Sequence, residues 1–136
     1  MIEAKPTIEG ETVSRVALSD EAVTLLRQLW DMHGPLMFHQ SGGCCDGSAP
    51  MCFAEGDYMT GAGDVRLGEF DISEAQDGSQ PISFWMSTEQ FQYWSHTHLT
   101  VDAVPGRGAG FSLEGPEGKR FIIHSRLMET AEPFVA

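Results

Sequence analysis

The segment Ser19–Gln40, with the sequence SDEAVTLLRQLWDMHGPLMFHQ, decides the fold class because it predicts a helix followed directly by a strand. Apolar residues in its first half recur every three or four positions, which is the period of an amphipathic helix. Ser19 can accept hydrogen bonds from the first helical turn, and Gly34 suits the residue that ends a helix. The apolar run Leu36–Gln40 then predicts a short strand, so the chain is expected to mix helix and sheet.

Six further strands and a second, shorter helix are expected after Gln40. The predicted strands are Met51–Ala54, Val65–Ile72, Ile82–Met86, Leu99–Val104, Phe111–Leu113 and Arg120–Leu127. Ser87 and Gln90 have the spacing of a capping box, which predicts a short helix immediately after the third of these strands. The last two strands are expected to pair as a hairpin around Gly115–Gly118.

Together these elements predict one α+β domain over residues 1–136. A chain of this size buries roughly two-thirds of its unfolded surface, so it can form a core without disulfide bonds. The expected architecture is a small mixed sheet or sandwich with one longer and one short helix on one side. Residues 1–17 and 129–136 are expected to be loosely ordered, apart from an edge strand near Thr12–Ala17.

The composition argues against several classes of function. Twenty acidic residues against eight basic ones give a net charge of −12, so nucleic-acid binding is not expected. No run approaches the roughly 20 apolar residues that cross a bilayer. The acidic N-terminal segment lacks the apolar core of a signal peptide. Three cysteines are an odd number, which does not suggest a disulfide framework. We therefore expect a cytoplasmic protein with reduced cysteines.

The clearest candidate site is a glycine-rich loop and its return strand, in which Cys44, Cys45 and Cys52 fall within nine residues. The thiolate form of cysteine is both a nucleophile and a ligand for soft metal ions. Two thiolates and an imidazole would form a sulfur and nitrogen set suited to zinc, iron or copper. Adjacent cysteines chelate one ion awkwardly, so only one of Cys44 and Cys45 is expected to bind. The alternative is that the three thiols simply pack under the loop.

Histidines supply the second candidate group. His96 and His98 form an H-x-H pair at the entry to a predicted strand, which can present two imidazoles to one ion. His39, on the strand that enters the cysteine loop, or His124, on a late strand, could complete such a site. Asp102 shares a strand face with His98 and could orient an imidazole or bind a metal itself. The alternative for each histidine is an ordinary, half-buried side chain.

Two sequence stretches carry a resemblance to a known group of proteins. SGGCCDGSAPMC at residues 41–52 and GRGAGFSLE at residues 106–114 resemble a bacterial family of unknown function, over nearly all of Asp20–Met128. Members of that family are often encoded beside aldehyde or alcohol dehydrogenases, which implies such an enzyme as a partner. The relatives and the aromatic content also imply a homodimer. The chain has no room for a nicotinamide domain plus a catalytic domain, so it is not expected to be an NAD-dependent dehydrogenase.

The order of elements resembles a second group, the HesB-like, A-type iron–sulfur carriers. Their first cysteine follows a Ser-Gly pair on a similar loop, and Cys44 is the best match. Those carriers also use a C-terminal Cys-Gly-Cys, whereas this chain has no cysteine after Cys52 and has Glu114–Gly118 in that region. The resemblance therefore implies the fold, and an iron–sulfur cluster is not expected.

Three functions remain open from the sequence. The leading one is a metal-binding accessory protein with a Cys/His site, linked to aldehyde or alcohol metabolism. The second is a small thiol- or metal-dependent enzyme that acts on an aldehyde or its thiol adduct, because a reactive thiolate adds readily to a carbonyl carbon. The third is a non-catalytic module that binds a dehydrogenase.

Overall fold

In the computed structural model, residues 1–40, 48–73, 79–107 and 112–128 form an α+β fold, as the sequence predicts. The helices are α1 (Asp20–His33), α2 (Thr88–Trp94) and a short 3-10 helix (Gly115–Glu117). The strands are β1 (Ile2–Glu3), β2 (Lys5–Pro6), β3 (Val16–Leu18), β4 (Leu36–Gln40), β5 (Met51–Ala54), β6 (Asp64–Asp71), β7 (Pro81–Ser87), β8 (Thr97–Pro105) and β9 (Lys119–Leu127). No helix in these four ranges is long and apolar enough to cross a membrane.

The strands form two mixed sheets. The first sheet has the order β1-β3-β8-β9, and the second has the order β2-β6-β7-β4-β5. In the first sheet β3 and β8 are parallel, and in the second β4 and β7 are parallel, while the other neighbours are antiparallel. Because β1 and β2 are consecutive in the chain but belong to different sheets, the N-terminal segment ties the two sheets together.

Helix α1 has the ends that the sequence predicts. The Ser19 hydroxyl accepts a hydrogen bond from the Ala22 amide at 3.1 Å and so satisfies one free N–H of the first turn. The helix ends at His33, and Gly34 follows with a φ of 81°, a conformation that glycine adopts without strain. The apolar face of α1, including the fully buried Leu26 and Leu29, packs into the core.

The core lies between the two sheets. Phe38 of β4 contacts Phe84 of β7 at 5.7 Å between ring centroids, and it contacts Phe121 of β9 edge-on at 5.0 Å. All three rings are fully buried. Because Phe121 belongs to the first sheet and the other two belong to the second, this aromatic cluster joins the sheets.

The N-terminal segment differs from the sequence prediction. Residues 1–17, expected to be loosely ordered, supply β1 and β2 and the start of β3. The predicted edge strand near Thr12–Ala17 is β3, which lies inside the first sheet between β1 and β8. The polar composition of the segment concealed its few apolar contacts, since Ala4 and Val16 are fully buried. Residues 129–136, expected to be loose, lie outside the described residues.

The predicted C-terminal hairpin is also wrong. Strand β9 pairs along its whole length with β8, from Thr97 opposite Leu127 to Pro105 opposite Lys119. Phe111 lies outside the described residues, and the backbone amide of Leu113 donates instead to the carbonyl of Cys52 at 3.0 Å. Ser112 and Leu113 do not belong to a strand of the described structure, and the 3-10 helix Gly115–Glu117 follows them.

Candidate functional site

The cysteine loop connects β4 to β5, and the structure fixes both of its ends. Cys44 and Cys45 fall in residues 41–47, outside the described residues. Before the loop, Gln40 ends β4 opposite Met86 of the parallel strand β7, so the loop leaves the sheet at the carboxyl ends of both strands. After it, the carbonyl of Ser48 accepts a hydrogen bond from the Ile123 amide of β9 at 2.8 Å. Gln40 and Ser48 are thus the two anchors of the loop, and the residues next to them surround its ends.

A histidine–aspartate pair lies next to the first anchor. His39, on β4, is only 2% exposed, and its Nε2 lies 2.7 Å from Oδ1 of Asp64, the first residue of β6. The other carboxylate oxygen accepts a hydrogen bond from the Gly61 amide at 3.0 Å. The pKa of Asp64 is lowered, chiefly by the hydrogen bond with His39. The pair is thus held by two elements that are far apart in sequence.

An aromatic ring covers the His39 side of the pair. The Tyr58 ring lies 4.3 Å from the His39 ring, and it stacks on Phe53 of β5 at 5.1 Å. The tyrosine comes from the turn after β5, which folds back over the outer face of the second sheet. These contacts fix the plane of the imidazole, and a fixed imidazole with a carboxylate on one nitrogen is the usual arrangement of a metal-binding or acid–base histidine.

The described cysteine has a different environment. Cys52 is fully buried in the core, and its backbone amide donates to the Ser112 hydroxyl at 2.8 Å. That hydroxyl donates to one oxygen of Glu114, whose other oxygen accepts from the Phe121 amide at 3.2 Å. Burial, and then the charge of Glu114, raise the pKa of the Cys52 thiol far above its ordinary value. This position favours a neutral thiol, whereas a metal ligand must be a thiolate.

Glu114 is itself an unusual side chain, since it is 1% exposed. Burial raises its pKa, and the hydrogen bonds from Ser112 and Phe121 oppose that rise only in part. The carboxyl group links the segment 112–118 to β9 and, through Ser112, to β5. Its role in the described structure is to hold these three pieces of chain together.

The H-x-H pair divides between two environments. His96 lies exposed in the turn before β8, while His98 is 4% exposed within the first sheet. The Nε2 atom of His98 lies 2.8 and 3.1 Å from the two carboxylate oxygens of Glu3 on β1. Its Nδ1 atom is buried and has no hydrogen-bond partner within the described part of the chain. The pair with Glu3 fastens the short strand β1 to its sheet.

Asp102 does orient an imidazole, but that of His124. The two lie on the same face of β8 and β9, with His124 Nε2 3.2 Å from Asp102 Oδ2. The Ser19 hydroxyl donates to the other carboxylate oxygen at 2.6 Å. Burial raises the pKa of Asp102, but the hydrogen bonds from Ser19, the Ala103 amide and His124 outweigh it, so the net pKa is lowered. This cluster connects the N-terminus of α1 to the first sheet.

Sequence reasoning missed the acidic partners of these histidines. Glu3 lies 95 residues from His98, and Asp64 lies 25 residues from His39. The only local signal was that Asp64 follows a glycine-rich turn directly before a strand. Across residues 1–40, 48–73, 79–107 and 112–128, no three His, Cys, Asp or Glu side chains form a group that could hold a metal ion.

Comparison with known proteins identifies the family but no activity. Residues 25–127 match the family described as Domain of unknown function (DUF779), which covers most of the chain. The chain belongs to the DUF779 family. Comparison of this DUF779 protein with curated proteins and with solved structures gives no significant match. The matched region contains β4 and the cysteine loop, together with the His39–Asp64 pair, so these features lie within the DUF779 domain.

Proposed function

We propose that this chain is a small metal-binding accessory protein, with a thiolate of Cys44 or Cys45 and the imidazole of His39 as ligands. The observation that carries the proposal is the buried His39–Asp64 pair at the end of β4, five residues before Cys44. A carboxylate on one imidazole nitrogen fixes the orientation of the ring, which is a common arrangement around a metal-binding histidine.

The donor set indicates the class of ion. Thiolate and imidazole together favour zinc, iron or copper over the hard cations, which prefer oxygen ligands. Cys52 contributes less support than the loop cysteines, because its burial favours the neutral thiol. His98 also contributes less support than His39, because its imidazole is already paired with Glu3.

The biological setting of the proposal rests on resemblance. The loop motif resembles a family encoded beside aldehyde or alcohol dehydrogenases, so we propose a role in that metabolism, in the cytoplasm, with a dehydrogenase as partner. The order of elements resembles the HesB-like carriers, and a common scaffold would present Cys44 at the same loop. The proposal does not include an iron–sulfur cluster, since no cysteine follows Cys52.

The test is the metal content of the untagged protein, purified without chelator and measured by plasma mass spectrometry. We expect near-stoichiometric zinc, iron or copper in the wild type, lost in the Cys44→Ser, Cys45→Ser double variant and strongly reduced in His39→Ala. Cys52→Ser and His98→Ala serve as controls that remove the same atoms elsewhere and should keep the metal.

The other outcomes discriminate between the remaining functions. A folded wild-type protein without metal would overturn the proposal. Depressed thiol pKa values in such a protein would then support the thiol-dependent enzyme. Unreactive cysteines, whose replacement affects only stability, would support an interaction module.

A further inference from the structure

A groove lies on the outer face of the second sheet, next to the His39–Asp64 pair. We call it the sheet groove, and it has a volume of about 280 Å³. Its lining includes Met37, Tyr58, Arg66, Glu69, Ser83 and Trp85. This volume lies just below the roughly 300–1,000 Å³ typical of pockets for drug-sized ligands, so a ligand of the sheet groove has to be small.

The body of the sheet groove suits an apolar group. Tyr58 and Trp85 provide aromatic surface, and Met37 provides a flexible apolar side chain. Tyr58 is held in place by its stacking on Phe53 and His39, so this part of the groove is formed before any ligand arrives. Preformed aromatic surface lowers the entropic cost of binding.

Charged groups of both signs lie at the sheet groove. Arg66 and Glu69 are 3.7 Å apart between Nη1 and Oε2, which is longer than a hydrogen bond. The guanidinium carbon lies 5.8 Å from the centre of the Trp85 ring. The donors of Arg66 are therefore not used by Glu69, although the two opposite charges are close. Glu55 adds a second carboxylate to the lining.

These charges disfavour ligands that carry only positive or only negative charge. A simple anion would meet two carboxylates and a chain of net charge −12, while a simple cation would meet Arg66. A molecule with one positive and one negative group avoids both penalties. Its carboxylate can pair with Arg66 in a bidentate manner, and its ammonium can pair with Glu69 or Glu55.

We propose that the sheet groove binds a small zwitterion with an apolar body, of the chemical class of a free apolar amino acid. The ligand's carboxylate lies on Arg66, its ammonium on Glu69 and Glu55, and its side chain against Met37, Tyr58 and Trp85. This inference goes beyond the proposed function and needs no metal, so either can fail without the other.

The test is isothermal titration calorimetry of the wild-type protein with L-leucine, L-methionine and L-phenylalanine. We expect saturable binding of at least one of them. The amide of that amino acid, which lacks the carboxylate, and its N-acetyl derivative, which lacks the ammonium, should each bind at least tenfold more weakly. Absence of binding by all three amino acids overturns the proposal, as does equal binding of either derivative.

Two variants assign the charged groups. Arg66→Gln should lower the affinity for the amino acid at least tenfold and leave the weaker affinity for the amide unchanged. Glu69→Gln should likewise lower the affinity for the amino acid at least tenfold and leave the affinity for the N-acetyl derivative unchanged. Arg107→Gln, an exposed arginine outside the sheet groove, is the matched control and should bind like the wild type. Unfolding midpoints verify that each variant is folded, and a folded Arg66→Gln that binds normally contradicts the assignment.

Discussion

Removal of the Asp64 carboxylate tests the geometry of the His39–Asp64 pair directly. In Asp64→Ala the buried imidazole loses its partner at 2.7 Å, and the Gly61 amide loses an acceptor at 3.0 Å. A hydrogen bond to a charged group contributes about 1.5–3 kcal/mol, and one to an exposed backbone amide contributes about 0.5–1 kcal/mol. We therefore expect the free energy of unfolding to fall by about 2–4 kcal/mol at neutral pH.

The loss should depend on pH with a defined sign. The pKa of Asp64 is lowered in the folded protein, so its contribution is present above the ordinary aspartate pKa and disappears as the pH falls through the lowered value. Urea titrations of the wild type and Asp64→Ala at neutral pH and at about pH 3 should show that the difference between them narrows in acid.

Asp71 offers a matched control on the same strand. Its carboxylate also has a lowered pKa, caused chiefly by hydrogen bonds from the exposed backbone amides of Ser73 and Gln80 rather than by a histidine. Asp71→Ala should lower the free energy of unfolding by about 1–2 kcal/mol, less than Asp64→Ala, and leave the His39 signals of an NMR spectrum in place. The reasoning would be refuted if Asp64→Ala lowered the free energy of unfolding by less than Asp71→Ala does. It would also be refuted if the difference in stability between the wild type and Asp64→Ala were the same in acid as at neutral pH.

Three further outcomes follow from the buried polar groups and the close packing. Because burial raises the pKa of Glu114, the stabilising contribution of its carboxyl group is complete below about pH 4.5 and is lost as the pH rises through the raised value. Urea titrations should therefore show that the free energy of unfolding of Glu114→Gln, relative to that of the wild type, is higher at neutral pH than in acid. In a variant that lacks the two loop cysteines, the remaining Cys52 thiol should react with a thiol reagent at the rate of unfolding, and immediate labelling of the native protein would contradict its burial. Gly68→Ala would place a Cβ 2.6 Å from that of Ala4 and should cost about 1–3 kcal/mol in thermal or urea unfolding, whereas Gly63→Ala, with open space around it, should cost less than half as much.

The local elements of the fold could be predicted from the sequence. Helix α1 and strand β4 have strong periodicity and clear end signals, and both begin and end within a residue of the predicted positions. The strand predicted at Leu99–Val104 lies within β8, and Leu99 is buried in the core. Pairing between distant segments could not be predicted, because β9 could equally have joined the segment before the 3-10 helix.

The candidate site could be predicted only in part, for the same physical reason. The sequence indicates which residue types can bind a metal, and His39 was among the weaker candidates. His39 is a candidate ligand because Asp64 and Tyr58 contact its ring and hold it in place. Those contacts depend on how β6 and the turn after β5 fold next to β4. The stronger candidate His98 proves to be paired with Glu3, a residue of the N-terminal segment that appeared too polar to be structured.

The measurement that tests the metal-binding proposal most directly is a titration with cobalt(II), followed by absorption. Cobalt bound by thiolate gives a charge-transfer band in the near ultraviolet, so the band reports sulfur coordination rather than adventitious binding. We expect a band that saturates at equimolar cobalt in the wild type, disappears in the Cys44→Ser, Cys45→Ser double variant, weakens in His39→Ala and persists in Cys52→Ser and His98→Ala. A wild-type protein without this band, or a band that survives loss of both loop cysteines, would contradict a metal site at the loop after β4.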